Sequence, residues 1–223
     1  MQEFDLAFIR SMLPFWNRLS AEEAEALLRH TRTVTYEPGE NVHSSTNDCV
    51  GVLLIKTGEL RTYLLSDEGK EVTLFRLGDG EACVLSASCL IQSITFDIFI
   101  DAVQRTELYL IDSQAFARVM AENVYAENFA LRITAERFSE VMWAMEQILF
   151  MSFDRRLAIF LLDETAKTGV DNITMTHEQI ARYVGSAREV VSRMLKYFAK
   201  EGVVAVHRGG VEILDKQKLR ELV

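Results

Sequence analysis

The 223-residue sequence holds little of what most enzyme chemistry needs. It has four His, three Cys and two Pro, the prolines at positions 14 and 38. No run of about 18 uncharged apolar residues occurs, which excludes a bilayer-spanning helix. No internal repeat and no low-complexity segment is visible. No Ser-His-Asp order, phosphate-binding loop or metalloprotease string is present, so the expectation is a protein that is not an enzyme. The odd, small Cys count argues against a disulfide framework. The first residues, MQEFDLAFIRSML, carry acids and lack a basic segment leading into an apolar one. That pattern is unlike a secretory signal, and a cytoplasmic chain with free thiols is expected.

What is present is apolar residue in ordinary supply, 49 %, enough for a packed core. The charge is unevenly placed. Residues 151–223 hold 12 Lys+Arg against 10 Asp+Glu, whereas residues 1–150 hold 12 against 23. A net charge of −9 gives the whole chain no general attraction to nucleic acid. A locally basic C-terminal segment has one if its cations share a face.

Texture divides the chain into three. Residues 4–30 read as helical, with Ser20 and Glu23 spaced as a capping box. Residues 31–112 read as β: short runs at Thr31–Tyr36, Val50–Ile55, Leu60–Leu65, Val72–Leu77, Thr95–Ala102 and Leu108–Ile111 alternate with turn signals. RTYLLSDEGKEVTLFRL is a hairpin with a Gly-bearing turn. Many short strands at near-regular spacing predict a sandwich or rolled barrel. Helix returns over 113–150. Leu131, Thr134, Phe138, Val141, Met145 and Ile148 recur by alternating threes and fours, a heptad-like seam. A helix over 122–150 spans ~42 Å and is expected to pair with a copy of itself. The domains predicted are thus 1–121, a β-roll; 122–150, the pairing helix; and 151–223.

From residue 153 the order is helix, helix, helix, hairpin. Thr176 and Gln179 are spaced as a capping box for a short helix whose apolar face is Ile180, Ala181 and Val184. Gly185 supplies the turn, and Ser186 is positioned to cap the next helix, whose apolar face is Val190, Val191, Met194, Leu195 and Phe198. Two helices around a Gly turn, with a small Ala where they cross, form a helix-turn-helix. VVAVH, Gly209-Gly210 and VEIL follow as a hairpin, the wing. The second helix then presents Arg188, Glu189, Ser192, Arg193 and Lys196 away from its apolar stripe. Arg donates two hydrogen bonds to guanine, Glu accepts from cytosine, and Ser permits close approach. His177 and Arg208 stand where they reach phosphates. Double-stranded DNA is the expected partner.

With these residues in view, the sequence resembles the Crp/Fnr family of bacterial transcription regulators along nearly its whole length. The resemblance is carried by ITMTHEQIARYVGSAREVVSRMLKYFAKEGVV and supported by KTGELRTYLLSDEGKEVTLFRLGDGE. It implies an α+β fold: an antiparallel β-roll or jelly-roll sensor, a long dimerisation helix and a C-terminal winged helix-turn-helix. It implies a homodimer on a two-fold symmetric operator, each second helix in a major groove, with RNA polymerase as a further partner and no membrane. In that family a Glu and an Arg four residues later read a shared C·G pair; Glu189 and Arg193 hold those positions. Arg188 matches the cAMP-receptor branch and Ser192 the Fnr branch, so the half-site carries a TG-A-like core.

The departures bear on the effector. Where cAMP-responsive members place an Arg-Ser pair for the cyclic phosphate, this chain has Phe96-Asp97; where they place Thr-Ser on the long helix, it has Val141-Met142. A ring offers a phosphate no donor and a carboxylate repels it, so cAMP is not expected. The first Cys is Cys49, so the N-terminal cluster of the iron–sulfur branch is missing. His30 and His43 lie outside the pocket segment, so no haem is expected either. What remains is EACVLSASCLIQSITF. Glu81, Cys83, Val84, Leu85, Ser86, Ala87, Ser88 and Cys89, with Phe96, Phe99, Phe138, Val141 and Met142, are expected to line a pocket for a small effector of low polarity. Two alternatives stay open: a thiol-based redox sensor using Cys83 and Cys89, and a β-roll binding module without DNA function. A cupin-type enzyme would need a His/Glu cluster for which the four His are too few.

Overall fold

The computed structural model describes residues 5–44, 50–86 and 98–223. The chain forms two compact units, Met1–Leu65 with Leu74–Val141 and Ser66–Thr73 with Met142–Val223.

The first unit opens with helix α1 (Leu6–Met12), a 3-10 turn (Trp16–Arg18) and helix α2 (Ala21–Arg29). The capping box at the start of α2 forms: the Ser20 hydroxyl accepts from the Glu23 N–H, and the Ser20 N–H donates to the Glu23 carboxylate. Among the described residues eight strands follow: β1 (Thr31–Tyr36), β2 (Asn41–His43), β3 (Val52–Thr57), β4 (Leu60–Leu65), β5 (Glu71–Leu77), β6 (Ala82–Cys83), β7 (Phe99–Ala102) and β8 (Thr106–Ile111). They build two four-stranded sheets, ordered β1-β8-β3-β6 and β2-β7-β4-β5. The pairs are antiparallel, for example Leu53 opposite Leu110 and Leu60 opposite Ala102.

Strand β3 shows why the apolar runs are continuous rather than alternating. Leu53 and Ile55 point into the roll with Leu60, Ile100, Leu108 and Leu110. Val52 and Leu54 point the other way, where Ile9, Leu13, Leu27, Phe116 and Phe129 cover them. Successive side chains on a strand face opposite sides, so a strand covered on both is apolar throughout.

Helix α3 (Ser113–Glu122) starts at Asp112, whose carboxylate accepts from the Gln114 and Ala115 N–H groups. Asn123 then interrupts the helical run in an extended conformation. Its side-chain amide donates to the Arg18 carbonyl at 3.0 Å, and its Oδ1 accepts from the Tyr125 N–H at 3.1 Å. The long helix therefore begins one residue later, as α4 (Val124–Phe150).

In the second unit, helix α5 (Phe153–Thr168) ends at Gly169 in the left-handed conformation. Strand β9 (Asn172–Ile173), helices α6 (His177–Val184) and α7 (Arg188–Lys200), strands β10 (Val204–His207) and β11 (Gly210–Ile213), and helix α8 (Lys216–Glu221) follow. One core joins them, including Leu157, Leu161, Ile180, Val191, Leu195, Phe198 and Val211.

Candidate nucleic-acid interface

Helix α6 is fixed at both ends by local chemistry. The Thr176 hydroxyl accepts from the Gln179 N–H at 3.2 Å, and the Gln179 side-chain oxygen accepts from the Thr176 N–H at 2.8 Å. At the other end Gly185 takes φ +62°, a left-handed conformation that disfavours any residue with a Cβ. The Ser186 N–H then returns to the Ala181 carbonyl at 3.0 Å. Ser186 is thereby used in closing α6. The N-cap of α7 is Ala187, which makes no side-chain capping bond. The expected Ser186 cap thus shifts by one residue, because the three-residue turn consumes the serine.

Helix α7 buries Val191, Leu195 and Phe198. Its other face leaves Arg188, Glu189, Arg193 and Lys196 exposed, with Ser192 half-buried between them. The first-turn N–H groups of α7, free of a side-chain cap, stand beside these cations and suit an anionic oxygen.

The wing is the β10–β11 hairpin, with Val204 opposite Ile213 and His207 opposite Gly210. Arg208 is exposed at its tip. The hairpin gains a third strand from β9, where Ile173 pairs with Val211. The His207 Nε2 lies 2.8 Å from the Asn172 Oδ1, a contact that requires the proton on Nε2. The imidazole sits so close to Gly210 that a Cβ there would collide with the ring and approach the Ile173 carbonyl to 2.8 Å.

Between wing, α6 and α7 lies a cleft of about 410 Å³ lined by Met175, Thr176, His177, Glu178, Arg188, Val206, His207, Gly209 and Gly210. His177 is partly buried there. That burial, with Arg188 and Lys196 nearby, holds its imidazole below its ordinary 6.5. Thr176, His177 and Arg188 thus share one cleft, with Arg208 adjoining it in sequence on the wing.

The sensor residues divide differently. Cys83, Val84, Leu85 and Ser86 are buried, and Glu81 is half-buried at the start of this segment. Burial pushes the Cys83 thiol up, which leaves it a poor nucleophile in this state. Phe99 is half-buried and stacks on Tyr63, with centroids 5.5 Å apart. Val141 packs against the roll interior. Phe138 and Met142 do not join it: Phe138 is 64 % exposed and Met142 is exposed as well. Ala87, Ser88, Cys89, Phe96 and Asp97 lie outside the described residues, as does Cys49.

Phe138 and Met142 instead continue an outward stripe on α4 that includes Leu131, Met145 and Leu149, all exposed. Thr134 and Val141 are half-buried at the margin, and Ile148 is marginally exposed near Gly185. The opposite stripe, Ala126, Phe129 and Ala130, is buried.

One residue of that inward stripe was not singled out by its sequence pattern. Arg137 is buried, its guanidinium held by Glu140 on the same helix and by Glu81 from the roll. Burial opposes its charge, and the two carboxylates outweigh this, so its pKa is raised. An Arg spaced seven residues after Ala130 on an apolar stripe was the available signal. Asn172, the partner of His207, had none, since β9 is two residues long. Among the described residues, no three His, Cys, Asp or Glu side chains form a metal-holding group, and no helix is long and apolar enough to cross a membrane.

Comparison with known proteins agrees with this geometry. Residues 155–222 match the Crp-like helix-turn-helix domain, and residues 33–123 match the cyclic nucleotide-binding domain. A crystal structure of a Crp/Fnr family protein from Eubacterium rectale is 43 % identical, covers 95 % of this chain and 98 % of its own, and superposes with a TM-score of 0.91. The chain belongs to the Crp/Fnr family. Another relative, the Cyclic AMP receptor protein of Thermus thermophilus, is 26 % identical over 94 % of this chain and 96 % of its own. FixK2 from Bradyrhizobium japonicum is 19 % identical, covers 86 % of this chain and 96 % of its own, and shares the fold with a TM-score of 0.69. This Crp/Fnr protein is a transcription regulator whose DNA-binding part is the helix-turn-helix of α6 and α7.

Proposed function

We infer that this regulator acts as a homodimer that reads a two-fold symmetric operator, and that a small molecule held in the β-roll modulates it. The observation that carries the DNA reading is the division of α7: Val191, Leu195 and Phe198 buried, and Arg188, Glu189, Arg193 and Lys196 exposed. Glu189 and Arg193 read a base pair, in the arrangement that the family resemblance implies. Arg188 and Ser192 extend the reading along the groove. Thr176, His177, Ser186, Lys196 and Arg208 contact backbone phosphates.

The homodimer reading is supported by the outward stripe of α4. Leu131, Phe138, Met142, Met145 and Leu149 are exposed apolar residues, and their spacing is that of a coiled-coil seam. RNA polymerase is the further partner of the DNA-bound dimer.

The effector occupies the region of Glu81 to Cys89, Phe96, Phe99 and Val141, and it is not cAMP. The relative's name attaches cAMP to that protein. By the sequence resemblance alone, Phe96 and Asp97 correspond to the phosphate-binding pair of cAMP-responsive members, and neither side chain offers a phosphate a hydrogen-bond donor. Binding shifts a pre-existing equilibrium between arrangements of the paired helices, and with it the spacing of the two reading helices.

Selection of bound sequences from a random duplex library, followed by fluorescence anisotropy at fixed salt, tests the DNA reading. A palindromic site with half-sites about one helical turn apart is expected. Recovery of no palindrome, or binding unchanged in Arg193→Ala, overturns it.

A further inference from the structure

The buried residues of α4 are Ala126, Phe129, Ala130 and one charged residue, Arg137, whose side chain is 6 % exposed. Its guanidinium lies over the Phe75 ring, 5.3 Å from the centroid. Nη1 donates to both oxygens of Glu140, each at 2.8 Å, and Nη2 donates to the Glu81 Oε1 at 3.0 Å. The Nε–H is buried and has no acceptor among the described residues.

Glu81 does not cover that donor, because its carboxylate is divided. Its second oxygen accepts from the Gly78 N–H at 2.7 Å, which ties the side chain to the turn before β6. A guanidinium edge made of Nε and one Nη matches a carboxylate with two parallel hydrogen bonds. Here that edge is half used. An ionised donor left unpaired in a buried site is costly, and a carboxylate not tethered to a turn satisfies both donors at once.

We propose that the Nε–Nη2 edge of Arg137 is the handle for the effector, and that the effector is a compact organic carboxylate which displaces Glu81 from the guanidinium. This rests on the reading of the roll as an effector-binding domain, and it replaces the small effector of low polarity expected from the sequence with an anionic one, because a buried guanidinium faces the roll. The incoming carboxylate takes the place of Glu81, so the charge around Arg137 is unchanged. Glu81, with 41 % of its side chain already exposed, turns to water. The body of the ligand is compact and apolar, because it enters among Phe75, Cys83 and Val141, which are packed in or against the roll core. A phosphate dianion also matches a guanidinium edge, but it would bring an extra negative charge beside Glu140. Arg137 belongs to α4 and Glu81 to the segment entering β6, so the exchange of partners acts on the roll and the long helix together.

The test uses the full-length protein. The ¹⁵N–¹H resonance of Arg137 Nε is followed in titrations with acetate, propionate, pyruvate, succinate and benzoate, with chloride and inorganic phosphate as controls. At least one carboxylate is expected to move that resonance saturably, and Glu81→Gln is expected to tighten its binding several-fold by removing the competitor. Arg137→Lys assigns the resonance; if that variant fails to fold, Glu81→Gln, altered at a partly exposed site, still carries the test. No saturable shift in either wild type or Glu81→Gln at millimolar concentrations overturns the proposal, as does an equal shift with chloride. Operator affinity in the same samples separates the two claims. A carboxylate that moves Arg137 but not operator affinity sinks the effector reading and leaves the site. A carboxylate that moves operator affinity but not Arg137 sinks the site and leaves the reading.

Discussion

The imidazole of His207 on the wing meets the side-chain amide of Asn172 at 2.8 Å, and so ties the β10–β11 hairpin to β9 beyond the backbone ladder. The tie holds Arg208 at the hairpin tip in a fixed place relative to the cleft that contains Thr176 and His177. Asn172→Ala removes the acceptor and is expected to cost about 1 kcal/mol of stability and a few-fold in operator affinity. Gly210→Ala is expected to cost more, because its Cβ collides with the His207 ring and the Ile173 carbonyl. Thermal denaturation and operator anisotropy, run on both variants, check the order. Equal affinities for wild type and Asn172→Ala would remove His207 from the account of the wing.

Arg193 and Lys196 are both exposed on α7, one turn apart, and their removal is expected to read out differently. Arg193→Ala loses roughly 1–3 kcal/mol of operator affinity and relaxes discrimination at one base pair. Lys196→Ala weakens all sequences alike and lowers the salt dependence by about one counterion. Binding to a panel of single-base operator variants across a salt series distinguishes them. A Lys196→Ala protein that changed sequence preference would move the base-reading boundary along the helix.

The parts of this protein that were legible in its sequence are those where local chemistry and tertiary packing agree. Thr176–Gln179 and Ser20–Glu23 form the capping boxes that their spacing predicts, since such bonds need only neighbouring residues. The buried positions of α7 follow from helical periodicity, because one face has a core to meet. Ser186 was misplaced as a cap because a serine before a helix reads the same whether it caps that helix or closes the preceding turn. Only the Ser186 N–H bond to Ala181 distinguishes them. Strands β2, β6 and β9 are two or three residues long and leave no period to detect. Arg137 was hidden by a stronger pattern. The outward heptad of α4 is the stronger period, and the inward stripe that contains Arg137 is recognisable only once the roll shows which side it covers.

Phe138 is 64 % exposed on α4 and joins no core cluster among the described residues, so a charge there is expected to leave the fold of one chain intact. In the proposed homodimer Phe138→Glu places like charges across the seam, where they oppose pairing. The variant is expected to sediment as a monomer with unchanged far-ultraviolet circular dichroism, and to lose preference for a full palindrome over a half-site. A dimer that persisted in Phe138→Glu would place the pairing surface elsewhere.

His177 makes opposite predictions for stability and for DNA binding. In the free protein partial burial, then Arg188 and Lys196, hold its imidazole below 6.5, its ordinary value. Between the lowered folded value and 6.5 the unfolded chain takes up a proton that the folded chain refuses. The contribution of His177 to stability is therefore fully present above 6.5 and is lost as pH falls through that window. A phosphate seated in the cleft reverses the local field. It favours the imidazolium and raises the imidazole's proton affinity, so operator binding is coupled to proton uptake in the same window and tightens as pH falls. Glu178 and His207 also line this cleft, so the comparison must be made against a variant that removes only the His177 proton. His177→Gln is expected to flatten both trends, measured as melting temperature and operator Kd against pH at constant salt. Unchanged slopes in that variant would place the phosphate away from the α6 N-terminus, because a charge next to His177 cannot bind without moving its titration.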